Sequence, residues 1–226
     1  MKKVFAIALV MALLCIISVG TTLSYFTDTD GAQNTMSVGQ VWIVQNSPAN
    51  NVPLFPYTGV ITPGGELAAI YNAVDKNVTV TVNGNSQSAY IRTLFAFEEV
   101  NAGQNPVAAG IIHVNPSADG GEWKLVTTDP IDVNGVKYYI YSFTYSAVYA
   151  SGATTPVSLK QVALDNKQDN RFYTKVKGEY SILVLSQAVQ SQGFTSAASA
   201  FEAAFPISAA DLATWFANIV TTPVTP

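Results

Sequence analysis

The sequence predicts an all-β domain, a sandwich or barrel, followed by C-terminal helices. Three observations carry this reading. Apolar and polar residues alternate in short runs, as where Val78, Val80 and Val82 interleave with Thr79 and Thr81. Turn residues punctuate the runs at short intervals, among them Pro63-Gly64-Gly65, Asn83-Gly84-Asn85 and Asn134-Gly135. The composition leans on Val, Thr and aromatics, with 11 Tyr and 11 Phe, while charged residues make up only 12 %, about half the usual share. A chain of 226 residues suits a single domain with appendages.

Taken in order, the chain opens with Lys2-Lys3 and an almost purely apolar run over residues 4–19, followed by the small residues Thr22 and Ser24 around Leu23. This is the layout of a secretory signal peptide with a small-x-small cleavage site. The expected cut falls between Ser24 and Tyr25, so residues 1–24 are an address and residues 25–226 the mature domain. The apolar run is shorter than the roughly 20 residues that span a bilayer, and an uncleaved N-terminal anchor is the alternative. Cys15, the only cysteine, lies inside the apolar run behind Leu14. A lipidated cysteine needs a small residue before it, so the mature chain is expected to carry no thiol and no disulfide. Prepilins are cut ahead of their apolar run, and no such junction is present.

Residues 35–44 alternate partially, interrupted at Gly39, which suits a strand with a bulge. Pro48, Pro53, Pro56 and Pro63 mark residues 46–63 as a loop. Strands are expected at 78–82 and 89–100, with shorter candidates at 107–114 and 123–128. Asn134-Gly135 then signals a hairpin into residues 137–149 (KYYIYSFTYSAVY), the most β-prone run of the chain. A loop at 150–156, strands at 157–164, 172–176 and 180–185, and a polar turn at 165–170 complete the β-region. The segment 195–220 changes character. An Ala-rich stretch stops at Pro206, Ser208-Ala209-Ala210-Asp211 forms a capping box, and Leu212, Trp215, Phe216 and Ile219 recur as the stripe of an amphipathic helix. These helices are expected to close the open end of the sandwich, with partner binding as the alternative.

The inventory of reactive groups is thin. His113 is the single histidine, so a His-rich zinc site cannot be built within one chain, and any Ser-His-Asp or Cys-His site would have to use that one residue. There is no HExxH, no GxSxG and no Gly-rich phosphate loop. No catalytic residue, metal ligand or cofactor is therefore assigned. Asp28 with Asp30, and the turn bearing Asp165, Asn166, Asp169 and Asn170, could offer oxygen to calcium, but neither has the spacing of a known loop. Glu98 and Glu99 alternate sides of a strand and make no acid–base pair. Asn77-Val78-Thr79 is a glycosylation sequon. With 15 acidic residues against 11 basic ones and no basic cluster, a nucleic-acid partner is not expected.

Tyr25-Phe26-Thr27-Asp28-Thr29-Asp30, followed by Asn34-Thr35-Met36-Ser37-Val38-Gly39, resembles the Tyr-Phe-Thr-Asp-x-Asp … Asn-x-Phe-x-Val-Gly junction of the TasA/camelysin (CalY) family. Members carry a SipW-dependent type of signal peptide. Ser88-Ala89-Tyr90-Ile91-Arg92 is similar to a strand of that family. So is Gln187-Ala188-Val189-Gln190 with Gly193-Phe194 and the Ala-rich residues 197–205 to a later segment. The Phe of the family junction is Met36 here. The resemblance implies a jelly-roll-like β-sandwich with C-terminal helices, secreted to the extracellular matrix or cell surface, that polymerises into biofilm-matrix fibres. In such fibres the freed N-terminal segment enters the next subunit as a strand. The candidate donor strand is residues 25–38, with Tyr25, Phe26, Met36 and Val38 as anchors. The same segment could instead be the first strand of its own domain. The partners implied are further copies of the chain and a signal peptidase, with membrane contact only before cleavage. A camelysin-like metalloprotease and a surface adhesin held by an uncleaved anchor are the competing functions.

Overall fold

A computed structural model describes residues 27–30, 43–46, 56–57, 74–165, 180 and 182–220. The elements are β1 (Thr27–Asp30), β2 (Ile43–Asn46), β3 (Pro56–Tyr57), β4 (Val74–Asp75), β5 (Thr79–Val82), β6 (Ala89–Glu98), β7 (Ile112–Pro116), β8 (Gly121–Leu125), β9 (Ile131–Val133), β10 (Val136–Tyr145), β11 (Leu159–Asp165) and β12 (Ile182–Gln190), followed by helices α1 (Ala197–Ala204) and α2 (Ala209–Val220). The fold is all-β, largely antiparallel, with two short C-terminal helices.

The larger sheet runs β1-β12-β6-β10-β8, with β9 also paired to β10. Opposite it, β11 pairs with β7, β4 and β3, and β5 pairs with β2. Backbone bonds join these two smaller sheets into one layer. Val78 N–H donates to Leu159 O at 3.2 Å, Ser158 N–H to Val78 O at 2.9 Å, and Thr155 N–H to Val80 O at 2.8 Å. At the β4–β5 junction, Lys76 N–H and Asn77 N–H both donate to Lys160 O, at 2.7 and 3.3 Å. Asn77 there has φ +42°. This is a bulge, with Asn tolerating the left-handed conformation. The expected loop at 150–156 thus lies along β5 rather than standing free.

The layers share a core of Ile43, Val78, Val80, Val82, Ile112 and Leu159 on one side and Ile91, Phe95, Phe97, Phe143 and Tyr145 on the other. Burying each such Phe contributes about 1.5–3 kcal/mol. Trp123 stacks on Tyr141 with ring centroids 5.3 Å apart and closes the core at β8. Gly121 on that strand has no room for a Cβ, which would fall 2.7 Å from Thr144 O and against the Phe143 ring.

A buried polar chain ties the layers together. Val80 N–H donates to Thr155 Oγ1 at 3.0 Å, Thr155 Oγ1–H donates to Tyr145 Oη at 3.0 Å, and Tyr145 Oη–H donates to Pro156 O at 2.8 Å. Every polar group in this chain is matched, so its desolvation is offset.

The helices lie on the outer face of the larger sheet, not over the open end of the sandwich. Leu212 and Phe216 of α2 pack on Leu94, Ala96, Ile140, Leu185, Ile131 and Val133. From α1, Ala197, Ala200 and Phe201 cover Tyr90 and Val189. The cause is that β6 and β10 are apolar on both faces, so the second face also needs cover. Local signals read from the sequence do appear. Ser208 Oγ accepts from Asp211 N–H at 3.1 Å, and the Asn134-Gly135 turn has φ +54° and +85°. The candidate strand at 107–114 is displaced, and β7 begins at Ile112. Asn105 Oδ1 accepts from Val107 N–H at 3.0 Å, which folds the preceding residues into a turn. The candidate strand at 172–176 lies outside the described residues.

Two outcomes follow for stability. Tyr145→Phe removes the central hydroxyl of the inter-layer chain and leaves Pro156 O unmatched. Equilibrium denaturation should show a loss of about 1–2 kcal/mol with the fold intact. Burial raises the phenols of Tyr138, Tyr139, Tyr141, Tyr145, Tyr149 and Tyr180 above their ordinary value of 10.0. The fold therefore favours the neutral phenols. Their contribution is complete below pH 10 and is lost as pH rises above it. Arg92 runs the other way, since burial lowers it from 12.5 to about 10 and the fold gains as it deprotonates above that pH. The tyrosines outnumber it, so the denaturation midpoint should fall above pH 10, together with a rise in tyrosinate absorbance.

Candidate functional site

Of the N-terminal segment singled out in the sequence, Thr27–Asp30 pairs within its own domain. β1 is an antiparallel edge strand on β12, with Thr27 opposite Val189, Asp28 opposite Ala188, Thr29 opposite Gln187 and Asp30 opposite Ser186. The pairing engages four residues of β12. On its other side β12 pairs with β6 over nine, from Ile182 opposite Phe97 to Gln190 opposite Ala89. β12 is thus held firmly from within and lightly from without. Ser24, Tyr25, Phe26, Met36 and Val38 lie outside the described residues.

Beside β1, the apolar sheet is interrupted by polar side chains. Arg92, Thr93, Ser186, Gln187 and Gln190 are all buried, and they occupy neighbouring positions on β6 and β12. They divide between the two faces. Thr93 and Ser186 hydroxyls meet at 3.2 Å on the face shared with Ile91 and Ala188, which belong to the inter-layer core. Arg92 and Gln187 occupy the opposite face, under α1. The Arg92 guanidinium sits 4.5 Å from the centroid of the Phe201 ring. Its Nε donates to Gln187 Oε1 at 3.1 Å, and one Nη donates to the same oxygen and to Phe205 O at 3.3 Å.

This leaves two requirements unmet. Arg92 is only 5 % exposed, and among the described residues its acceptors are an amide and a backbone carbonyl rather than a carboxylate. Burial pulls its pKa down to about 10. Gln187, fully buried, spends Oε1 on Arg92 while its Nε2 amide has no hydrogen-bond partner. Gln190 Oε1 is likewise unmatched, although its Nε2 donates to Gln192 Oε1 at 3.2 Å. Buried polar groups without partners are rare in folded proteins. Gln187 lies with Arg92 on the face under α1, whereas Gln190, opposite Ala89, lies on the face of the inter-layer core.

The reactive groups read from the sequence lie elsewhere. His113 Nε2 and Asp165 Oδ2 are 2.8 Å apart, with side chains 19 % and 17 % exposed. They form a cross-strand pair between β7 and the end of β11. Asp165 is therefore engaged with His113, while Asn166, Asp169 and Asn170 lie outside the described residues. Glu99 Oε1 accepts from Gly103 N–H at 2.6 Å. Among the described residues no group of three or more His, Cys, Asp or Glu could hold a metal ion. Asn77 of the sequon is exposed.

Comparison with protein-family models, characterised proteins and solved structures returned no match. Among the described residues no helix is long and apolar enough to cross a membrane.

The roles of Arg92 and Gln187 were not assigned from the sequence. The available signal was an arginine within AYIRTLFAF and two glutamines within ILVLSQAVQ, polar interruptions of apolar strands. The geometry predicts that β1 opens by itself. In hydrogen exchange, the β12 amides facing β1 should show far lower protection than those facing β6, with exchange through local opening. Equal protection on both sides would contradict a lightly held β1.

Proposed function

We propose that this protein is a secreted structural subunit of extracellular biofilm-matrix fibres, in which the β1 segment of one copy enters the β12 edge of the next. One observation carries the reading. The segment directly after the expected cleavage site occupies an outermost, four-residue pairing on β12. At about 0.5–1.5 kcal/mol net per hydrogen bond, detaching so short an edge strand costs little. What it exposes is a row of unpaired backbone groups along β12 that another copy of the same segment fits. The contact is head-to-tail and does not close on itself, so its repetition makes a filament.

Two further features support this. The chain blocks that resemble the TasA/camelysin (CalY) family converge on this one place. Thr27–Asp30 pairs with β12, Arg92 reaches Gln187, and the Ala-rich segment supplies the covering helix α1. We also read the sandwich as a jelly roll. β1 pairs with β12, β5 runs along residues 152–158 leading into β11, and β6 pairs with β10. This nested order is what rolling up one long antiparallel ribbon produces. In this reading residues 1–24 direct secretion, and cleavage at the Ser24–Tyr25 bond frees the donor segment.

Purified protein beginning at Tyr25 should form fibres visible by electron microscopy. Deleting residues 25–34 should leave a soluble β-rich monomer by circular dichroism and sedimentation. Fibres formed by the deleted protein would exclude strand donation.

A further inference from the structure

Strand exchange as such does not explain why a fibre should win over the self-paired monomer. The same four residues make the same pairing in both, and association adds a loss of translational and rotational freedom. The polymer needs an interaction that the monomer lacks. The β12 edge holds an unsatisfied site that could supply it.

Directly paired residues of antiparallel strands share a face. Gln187 and Arg92 are paired with each other and share the face under α1. In the chain's own register the residue opposite Gln187 is Thr29, while Asp28 and Asp30 stand opposite Ala188 and Ser186. Ala188 lies in the inter-layer core, and Ser186 bonds Thr93 on the same face. The two acidic positions of β1 are thus paired with residues of the other face of β12. A slip of one residue exchanges the faces of an entire strand. Slipping in either direction brings an aspartate, Asp28 or Asp30, opposite Gln187. The orphan Gln187 amide is a donor, and Arg92 is a buried cation whose acceptors among the described residues include no carboxylate. A carboxylate is the group that would satisfy both. Within one chain β1 is tied through residues 31–42 to β2. A strand arriving from another copy carries no such tie, and side-chain complementarity sets its register.

We infer that Arg92 and Gln187 form a carboxylate-receiving site that selects a one-residue-shifted register for the incoming β1 of a second copy, with Asp28 or Asp30 as its ligand. This rests on the strand-donor reading and adds what drives it. The self-paired monomer leaves the site unfilled, and the fibre fills it.

The mature chain has no cysteine, so engineered pairs can report the register. Protein carrying Thr27→Cys is mixed with protein carrying Val189→Cys, Ala188→Cys or Gln190→Cys, each otherwise complete from Tyr25, and fibres are grown under mild oxidation. Disulfide-linked dimers are expected with Ala188→Cys or Gln190→Cys. Dimers mainly with Val189→Cys, the partner of Thr27 in the monomer, would overturn the shifted register while leaving strand donation standing. Failure of the unaltered protein to form fibres would overturn both. Two further variants test the chemistry. Gln187→Glu gives Arg92 a permanent carboxylate. The monomer should remain folded with an equal or higher melting temperature, yet the concentration needed for fibre growth should rise at least about tenfold. Asp28→Asn with Asp30→Asn should raise that concentration similarly without changing monomer melting. Unchanged fibre growth in both variants would overturn the inference.

Discussion

The structure depends on β6 being enclosed on both faces and both edges. Ala89 to Phe97 are all buried, β12 and β10 flank the strand, and it looks one way into the inter-layer core and the other toward α1 and α2. A strand in this position can tolerate little that is polar. Nearly every side chain of AYIRTLFAF is apolar or small for that reason, and the helices follow from it, because the outer face of the larger sheet would otherwise meet water. The sandwich and its helical cover are one solution to the same burial problem.

Against that background the polar residues at one end of β6 and β12 stand out. Tyr145, Thr155 and Val80 form a matched chain between the layers, and there the polarity stabilises. Gln187 Nε2 and Gln190 Oε1 are unmatched, and there polarity costs. The first group runs from β10 of the larger sheet to β5 of the opposite layer, and the second sits on β12, next to β6. One ties the layers together, and the other stands next to the four-residue edge pairing of β1. In the strand-donor reading proposed above, a first strand that leaves and is replaced calls for low stability at that edge and high stability elsewhere.

Several elements were legible locally because local chemistry decides them. The Val78-Val80-Val82 alternation, the Asn134-Gly135 turn and the Ser208–Asp211 capping box depend on residues a few positions apart, and the structure contains all three. The displaced strand at 107–114 shows how such reading fails. Its apolar residues suit a strand, yet Asn105 captures the following amides and bends the chain. The helix placement was misread because an amphipathic stripe reveals that a face is buried but not against what. The site beside β1 was only half legible. In the sequence Thr27–Asp30, Arg92 and Gln187 are separate blocks, but their meeting depends on register, and register joins residues up to about 160 positions apart.

By itself, the sequence determined the β-rich class, the turns, the helix start and the scarcity of reactive groups, because each follows from composition or short-range pattern. Only the tertiary structure decided that the first strand lies against the last. It also decided that the helices cover a sheet face, and that a buried arginine and an orphan amide wait beside that strand. These depend on long-range pairing, where a shift of one residue exchanges the faces of a strand.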